Sequence, residues 1–237
     1  MYKITYLDRN GFLAVSDDVI MVFDFYSDPS HALHRALEAA PDCPVVFFVT
    51  SHQKEHLNKS IYELGQNHKR VYVMSNDVYP QNVPSTIEVA GMSKGDIIED
   101  LPGGLTVKAY GTASKGVAFL VTDKNGKKIF HAGAMDDPEP VEQLPERKTD
   151  SQCSVGVAVN RVASENAELD IAFFPTSTDM ESHVAKHTMQ FLNEIKVKDF
   201  FPIHIGSDNV RAADYAGYAV NGATVHLLRE PGQSITL

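Results

Sequence analysis

The stretch VVFFVTSHQKEHLN, Val45 to Asn58, decides how this chain is read. Five apolar residues, Val45 to Val49, form an uninterrupted run of the length and β-branched, aromatic composition expected of a strand buried on both faces. Directly after it come Ser51, His52, Gln53, Glu55 and His56, a cluster of donor-bearing side chains at the turn between a strand and a following helix. Strand ends of this kind hold functional groups because a rigid sheet positions them while the connecting loop leaves them accessible.

Upstream, YKITYL, GFLAVS and VIMVFDF read as short strands separated by the turn residues Asp8, Asn10, Gly11, Asp17 and Asp18, which suggests an antiparallel meander. Asp28, Pro29 and Ser30 then introduce a helix, HALHRALEAA. Downstream of the quoted stretch, a helix LNKSIYELG and a strand RVYVMS complete a βαβ rhythm, which requires a crossover on one sheet face. From 86 to 132 the pattern is β again, with TIEVA, LTVKAY, GVAFLVTD and KKIFHAG, and with Asn125–Gly126 as a tight hairpin turn. Residues 136–150 hold three prolines and eight charged residues, the composition of a surface excursion. A helix near Val157 to Asn166, strand DIAFFP, helix MESHVAKHTMQFLNEIKV, strand DFFPIHI, a helix from Asn209 to Tyr218 and terminal strands TVHLLRE and SITL follow. β-rich and βα segments in both halves predict one domain, 1–237, in which two facing mixed sheets are covered outside by helices.

Composition narrows the function. With 237 residues and 43% hydrophobic content the chain has ample material for a core. Its net charge of -10, from 21 basic and 31 acidic residues, disfavours a nucleic-acid backbone or an anionic membrane as the main partner. No window resembles a signal peptide or a membrane span, so a cytoplasmic location is expected. Cys43 and Cys153 have no metal-binding or redox spacing and are expected as reduced thiols.

The chain resembles the metallo-β-lactamase superfamily, closest to its small prokaryotic metal-dependent hydrolases with lactonase-like members. The resemblance spans nearly the whole chain. It rests on Tyr6 to Gly11 opening the first strands, Asp24 closing VIMVFD, the SHQKEH turn, GVAFLV followed by KKIFHAG, the strand DIAFFP, and PIH at Pro202 to His204. It implies an αββα sandwich with one or two metal ions, usually zinc, at one edge of the sheets, and hydrolysis by metal-bound hydroxide.

Residue by residue, the family's HxHxDH motif falls on SHQKEH. Ser51 and Gln53 stand where the first two histidines belong, and Ala113 or Ser114 stands where a third is expected. Ala134 occupies the place of the bridging aspartate after HAG. Neutral oxygens are weak zinc ligands beside imidazole, so the first metal site is expected to be lost. The second site keeps Glu55, His56 and His204. The expectation is therefore a hydrolase-like protein with an incomplete motif, holding at most one divalent metal, zinc if any. It would act on a small ester, lactone or phosphoester, with Glu55 and His56 at the metal and Ser51, Gln53 or His52 orienting the substrate. The alternative is a metal-free pseudoenzyme whose degenerate cleft binds a small-molecule ligand or a partner. Homo-oligomer formation is left open.

Other histidines read more plainly. His52 is offset by one from the ligand spacing, which turns it away from the metal side unless the turn rebuilds to bring it inward. His131 belongs to the core or supports the ligands from behind. His183 and His187, four apart on a helix, mark a polar face or cleft rim. Asp24 is expected to brace the turn through backbone hydrogen bonds.

Overall fold

The computed structural model describes residues 1–113, 116–135, 154–205 and 211–237. Its strands form two seven-stranded sheets. The first sheet comprises β1 (Lys3–Asp8), β2 (Gly11–Val15), β3 (Ile20–Phe23), β4 (Val45–Val49), β5 (Arg70–Ser75) and β6 (Val89–Met92). The second comprises β7 (Ile97–Leu101), β8 (Leu105–Gly111), β9 (Val117–Thr122), β10 (Lys128–His131), β11 (Glu168–Pro175), β12 (Lys196–Ile203) and β13 (Thr224–Val225). β14 (Ser234–Thr236) returns to pair with β1 at the edge of the first sheet.

Each sheet changes direction once. β1, β2 and β3 form the expected antiparallel meander, after which β3, β4, β5 and β6 run parallel. In the second sheet β7 to β10 are antiparallel, and β10, β11, β12 and β13 are parallel.

The layers follow from strand alternation, which sends neighbouring side chains to opposite faces. Phe48 and Phe23 of the first sheet meet Phe119, Phe173 and Phe201 of the second in a core between the sheets. Phe47 points the other way, packing with Leu33 and Leu37 of α1 (Ala32–Ala39) on the outer face. Phe130 and Phe174 likewise face outward from the second sheet, against Val159 of α2 (Val155–Glu165) and Phe191 of α3 (His183–Glu194). The expected αββα sandwich of mixed sheets is the observed one.

Some elements differ from expectation. LNKSIYELG contains only a short 3-10 turn, Lys59–Tyr62, so β4 and β5 are bridged by little helix. The strand β7 is added before LTVKAY. TVHLLRE supplies just two paired residues, and the helix expected from Asn209 is a 3-10 segment, Ala212–Tyr218. The excursion 136–150 and Cys153 lie outside the described residues, and Cys43 is a free, half-buried thiol. No described helix is long and apolar enough to cross a membrane.

Candidate functional site

The parallel strands of both sheets end on the same kind of residue. Asp24, directly after β3, has φ 43°, and His204, directly after β12, has φ 56°. Non-glycine residues rarely adopt this left-handed conformation and hold it only where surrounding contacts enforce it. At Asp24 those contacts are explicit. Its backbone N–H donates to the Phe48 carbonyl at 2.9 Å. Its carboxylate, fully buried, accepts from the Thr50 amide at 2.8 Å and the Thr50 hydroxyl at 2.7 Å. The brace expected of Asp24 is thus a double clamp on the first residue after β4.

His56 reaches the same carboxylate. Its Nδ1 lies 2.7 Å from Asp24 Oδ2. A carboxylate only accepts, so Nδ1 carries the proton and Nε2 faces away from the clamp. On that side the Asn10 amide lies 3.4 Å from Nε2, and the His204 ring is edge-on with centroids 5.9 Å apart. Burial would raise the Asp24 carboxyl; the pull of His56 and its hydrogen bond, with help from His131 and Thr50, outweighs burial and holds it below the usual carboxylate range.

His131 closes the base of this network. Fully buried at the end of β10, it stacks on Phe23 at 5.3 Å. Both ring nitrogens are used by backbone: Nε2 donates to the Asn10 carbonyl at 3.3 Å, and Nδ1 accepts from the Gly133 amide at 3.2 Å. That pattern suits the neutral ring, and burial pushes its pKa down to about 4 against the attraction of Asp24. Gly133, at φ 58°, lies so close that a Cβ there would stand 2.7 Å from Thr50 Cβ and 2.9 Å from the Val117 carbonyl. Only glycine admits this approach.

The structure places the sequence-derived residues in three settings. His56 and His204 come together, as above. Glu55 does not join them: its side chain is 42% exposed and its recorded ion pair, at 3.9 Å, is with the neighbouring Lys54. Ser51 is buried beside β5, its hydroxyl donating to Asp77 at 3.3 Å, while Gln53 is half-buried and its backbone N–H donates to Ser51 Oγ at 3.4 Å. His52 turns from His56 towards Asp77, with Nδ1 2.7 Å from Oδ2, and meets the Tyr79 ring edge-on. Asp77, Thr50 and Asn10 carry much of the site's hydrogen bonding and were not singled out by their sequence context. Asp77 reaches Ser51 and His52 because Val49 pairs with Met74, setting the residues beyond the two strand ends side by side. His183 is exposed and His187 half-buried on α3, and Ala134, where the resemblance expects a bridging carboxylate, is buried. Ser114 lies outside the described residues.

A zinc site in a hydrolase needs at least three protein donors with an open position. Among the described residues no group of three or more His, Cys, Asp or Glu is arranged to hold a metal ion. The two imidazoles alone do not fit the hydrolytic metal group that the motif implies.

No family model matches the chain, and no curated protein matches it. Solved structures do. Igni18, a metallo hydrolase of the archaeon Ignicoccus hospitalis, is 15% identical with a TM-score of 0.67, covering 99% of this chain and 97% of its own. YhfI of Bacillus subtilis, a metallo-β-lactamase fold protein, is 11% identical at TM-score 0.65 over the full length of both. CmlA, a diiron β-hydroxylase of Streptomyces venezuelae, is 9% identical at TM-score 0.60, with all of this chain matching 54% of CmlA. This protein has the metallo-β-lactamase fold. One fold carrying both a hydrolase and a hydroxylase leaves the chemistry to be argued from the site.

Proposed function

We propose that this chain uses the metallo-β-lactamase fold as a metal-free binding protein, taking a small-molecule ligand or a partner at the strand-end site around His56 and His204. One observation carries this reading. The adjacent second-site residues are split, with His56 clamped inward on Asp24 and Glu55 turned outward beside Lys54. Ser51, whose hydroxyl donates to Asp77 and accepts from the Gln53 backbone N–H, and the buried Ala134 agree with it. The net charge of -10 favours neither nucleic acid nor an anionic membrane as the occupant, and the setting in this reading is the cytoplasm.

A second reading is favoured by the orientation of His56. A carboxylate on one imidazole nitrogen is how proteins present the other to a metal, and His204 stands on that side. In this reading His56 and His204, with Glu55 as a third donor, would hold one divalent ion, zinc, which would supply Lewis-acid chemistry toward a small ester, lactone or phosphoester.

Elemental analysis of untagged protein, zinc titration of wild type and His56→Ala, and melting with and without chelator separate the two. The expected result is no stoichiometric zinc and a melting temperature unmoved by chelator. About one zinc per chain, lost in His56→Ala, together with hydrolysis abolished by chelator and restored by zinc, would establish the mononuclear enzyme instead.

A further inference from the structure

Away from the strand-end site, the outer face of the second sheet carries a pocket of about 380 Å³ between the end of β8, the Lys94–Gly95 turn and α2. Its floor is apolar: Tyr110 and Ala158 are buried there, and Val157 is a 54% exposed apolar residue beside them. Its rim is cationic. Lys94, Lys108 and Arg161 all line it.

Among the described residues, one carboxylate, Glu165, pairs with two of these three cations. Glu165 Oε2 lies 2.5 Å from Lys108 Nζ and accepts from the Tyr110 hydroxyl at 2.7 Å, while Oε1 lies 2.7 Å from Arg161. Both oxygens are therefore engaged, and Lys94 has no recorded ion pair among the described residues. Its stem lies across Gly111, where a Cβ would meet Lys94 Cδ at 2.9 Å. The absent side chain at Gly111 is what lets this lysine lie over the end of β8. The pocket holds an excess of positive charge on a chain whose net charge is -10. Locally concentrated cations over a low-dielectric floor attract an anion more strongly than the same charges spread over open surface.

We propose that this pocket binds a small organic anion, a carboxylate or phosphate monoester carrying a compact apolar body. The anionic head lies among Lys94, Arg161 and Lys108, where charge-assisted hydrogen bonds are strongest. The apolar body covers Val157 and Ala158, removing the exposed apolar surface of Val157 from water. Most ligand sites share this plan, with an apolar wall for burial and a few polar groups for orientation.

The test is a titration of the ¹⁵N-labelled full chain with phenyl phosphate, benzoate, benzyl alcohol and inorganic phosphate, followed by amide shifts. Saturable shifts at residues 94–95, 109–111 and 157–161 are expected with phenyl phosphate, benzoate or both; which one binds assigns the head group. Benzyl alcohol and inorganic phosphate should each bind at least about tenfold more weakly, since each lacks one half of the recognition. Lys94→Glu, at an exposed turn, should weaken binding about tenfold or more with an unchanged melting temperature. Equal binding of benzyl alcohol or inorganic phosphate, affinity unaffected by Lys94→Glu, shifts located elsewhere, or no saturable binding by either organic anion would each overturn the assignment. The pocket does not share residues with the strand-end site, so its outcome is independent of the function proposed there.

Discussion

Asp24 and His131 are both fully buried, the His131 Nδ1 lying 3.7 Å from Asp24 Oδ2. The structure satisfies both imidazole nitrogens of His131 with backbone groups, so a second ring proton has no acceptor of its own and burial holds the pKa near 4. The stability consequence has a definite sign. The unfolded chain protonates this residue near pH 6.5, whereas the folded chain stays unprotonated until about pH 4. Between those values the unfolded state binds more protons, so stability falls as pH falls. At about 1.4 kcal/mol per pKa unit the loss amounts to ~3 kcal/mol. Urea denaturation at pH 7 and pH 4.5 should show it, and His131→Gln should remove roughly 2–3 kcal/mol from the difference between the two pH values. An unchanged difference in that variant would mean His131 does not titrate as the geometry requires. The stabilising contribution of Asp24, whose carboxyl is held low, is present above the unfolded carboxylate range and is lost only at more acidic pH, as pH falls through its folded pKa.

At the scale of elements, helices on the second sheet are started by local chemistry. Ser154 and Ser182 sit in extended conformation, their hydroxyls accepting the amides of Val157 at 3.3 Å and Ala185 at 3.1 Å. Each satisfies one of the amides left without a partner at a helix start. On α1 the carboxylate of Asp28 does this work for Ala32 at 2.8 Å and Leu33 at 2.9 Å. Ser182→Ala should destabilise the chain by ~1 kcal/mol, read as a lower urea midpoint with an unchanged m-value. A change in m would instead report a rearranged native or unfolded state. The start at Asp28 was legible, because that carboxylate lies four and five residues before the amides it accepts; Ser154 and Ser182 were not read as starts, α2 being expected near Val157 and α3 from Met180. The 3-10 turn after His56 was not legible either, since apolar spacing in LNKSIYELG matches a helix, whereas Ile61 and Tyr62 are buried from a single turn in the cluster that includes Tyr72 of β5. β7 escaped notice for a related reason: IIEDL is an exposed edge, and its acidic residues interrupt the apolar pattern.

For the molecule as a whole, Phe173 is the ring that ties the two sheets together. It lies 4.6 Å from Phe12 and 6.0 Å from Phe23 of the first sheet, 5.1 Å from Phe201 of its own, and 5.5 Å from His131. Phe173→Ala should cost roughly 3–5 kcal/mol in equilibrium unfolding, the range for deleting a fully buried aromatic ring. A much smaller loss would show that the sheets close over the vacated space.

Sequence by itself determined the sandwich. Period-two apolar strands, short turns and a βα rhythm in each half are local patterns, and burial of one sheet face against another follows directly from them. The replacements at Ser51, Gln53 and Ala134 are readable as identities alone. Tertiary structure decided where the remaining donors point. Glu55 and His56 are neighbours in the chain yet part company, because His56 is drawn to a buried carboxylate 32 residues away while Glu55 remains at the surface. His52 is held by Asp77, 25 residues further along, through the parallel pairing of β4 and β5. Side-chain direction in a turn is set by such long-range hydrogen bonds, which the order of residues along the chain does not encode locally.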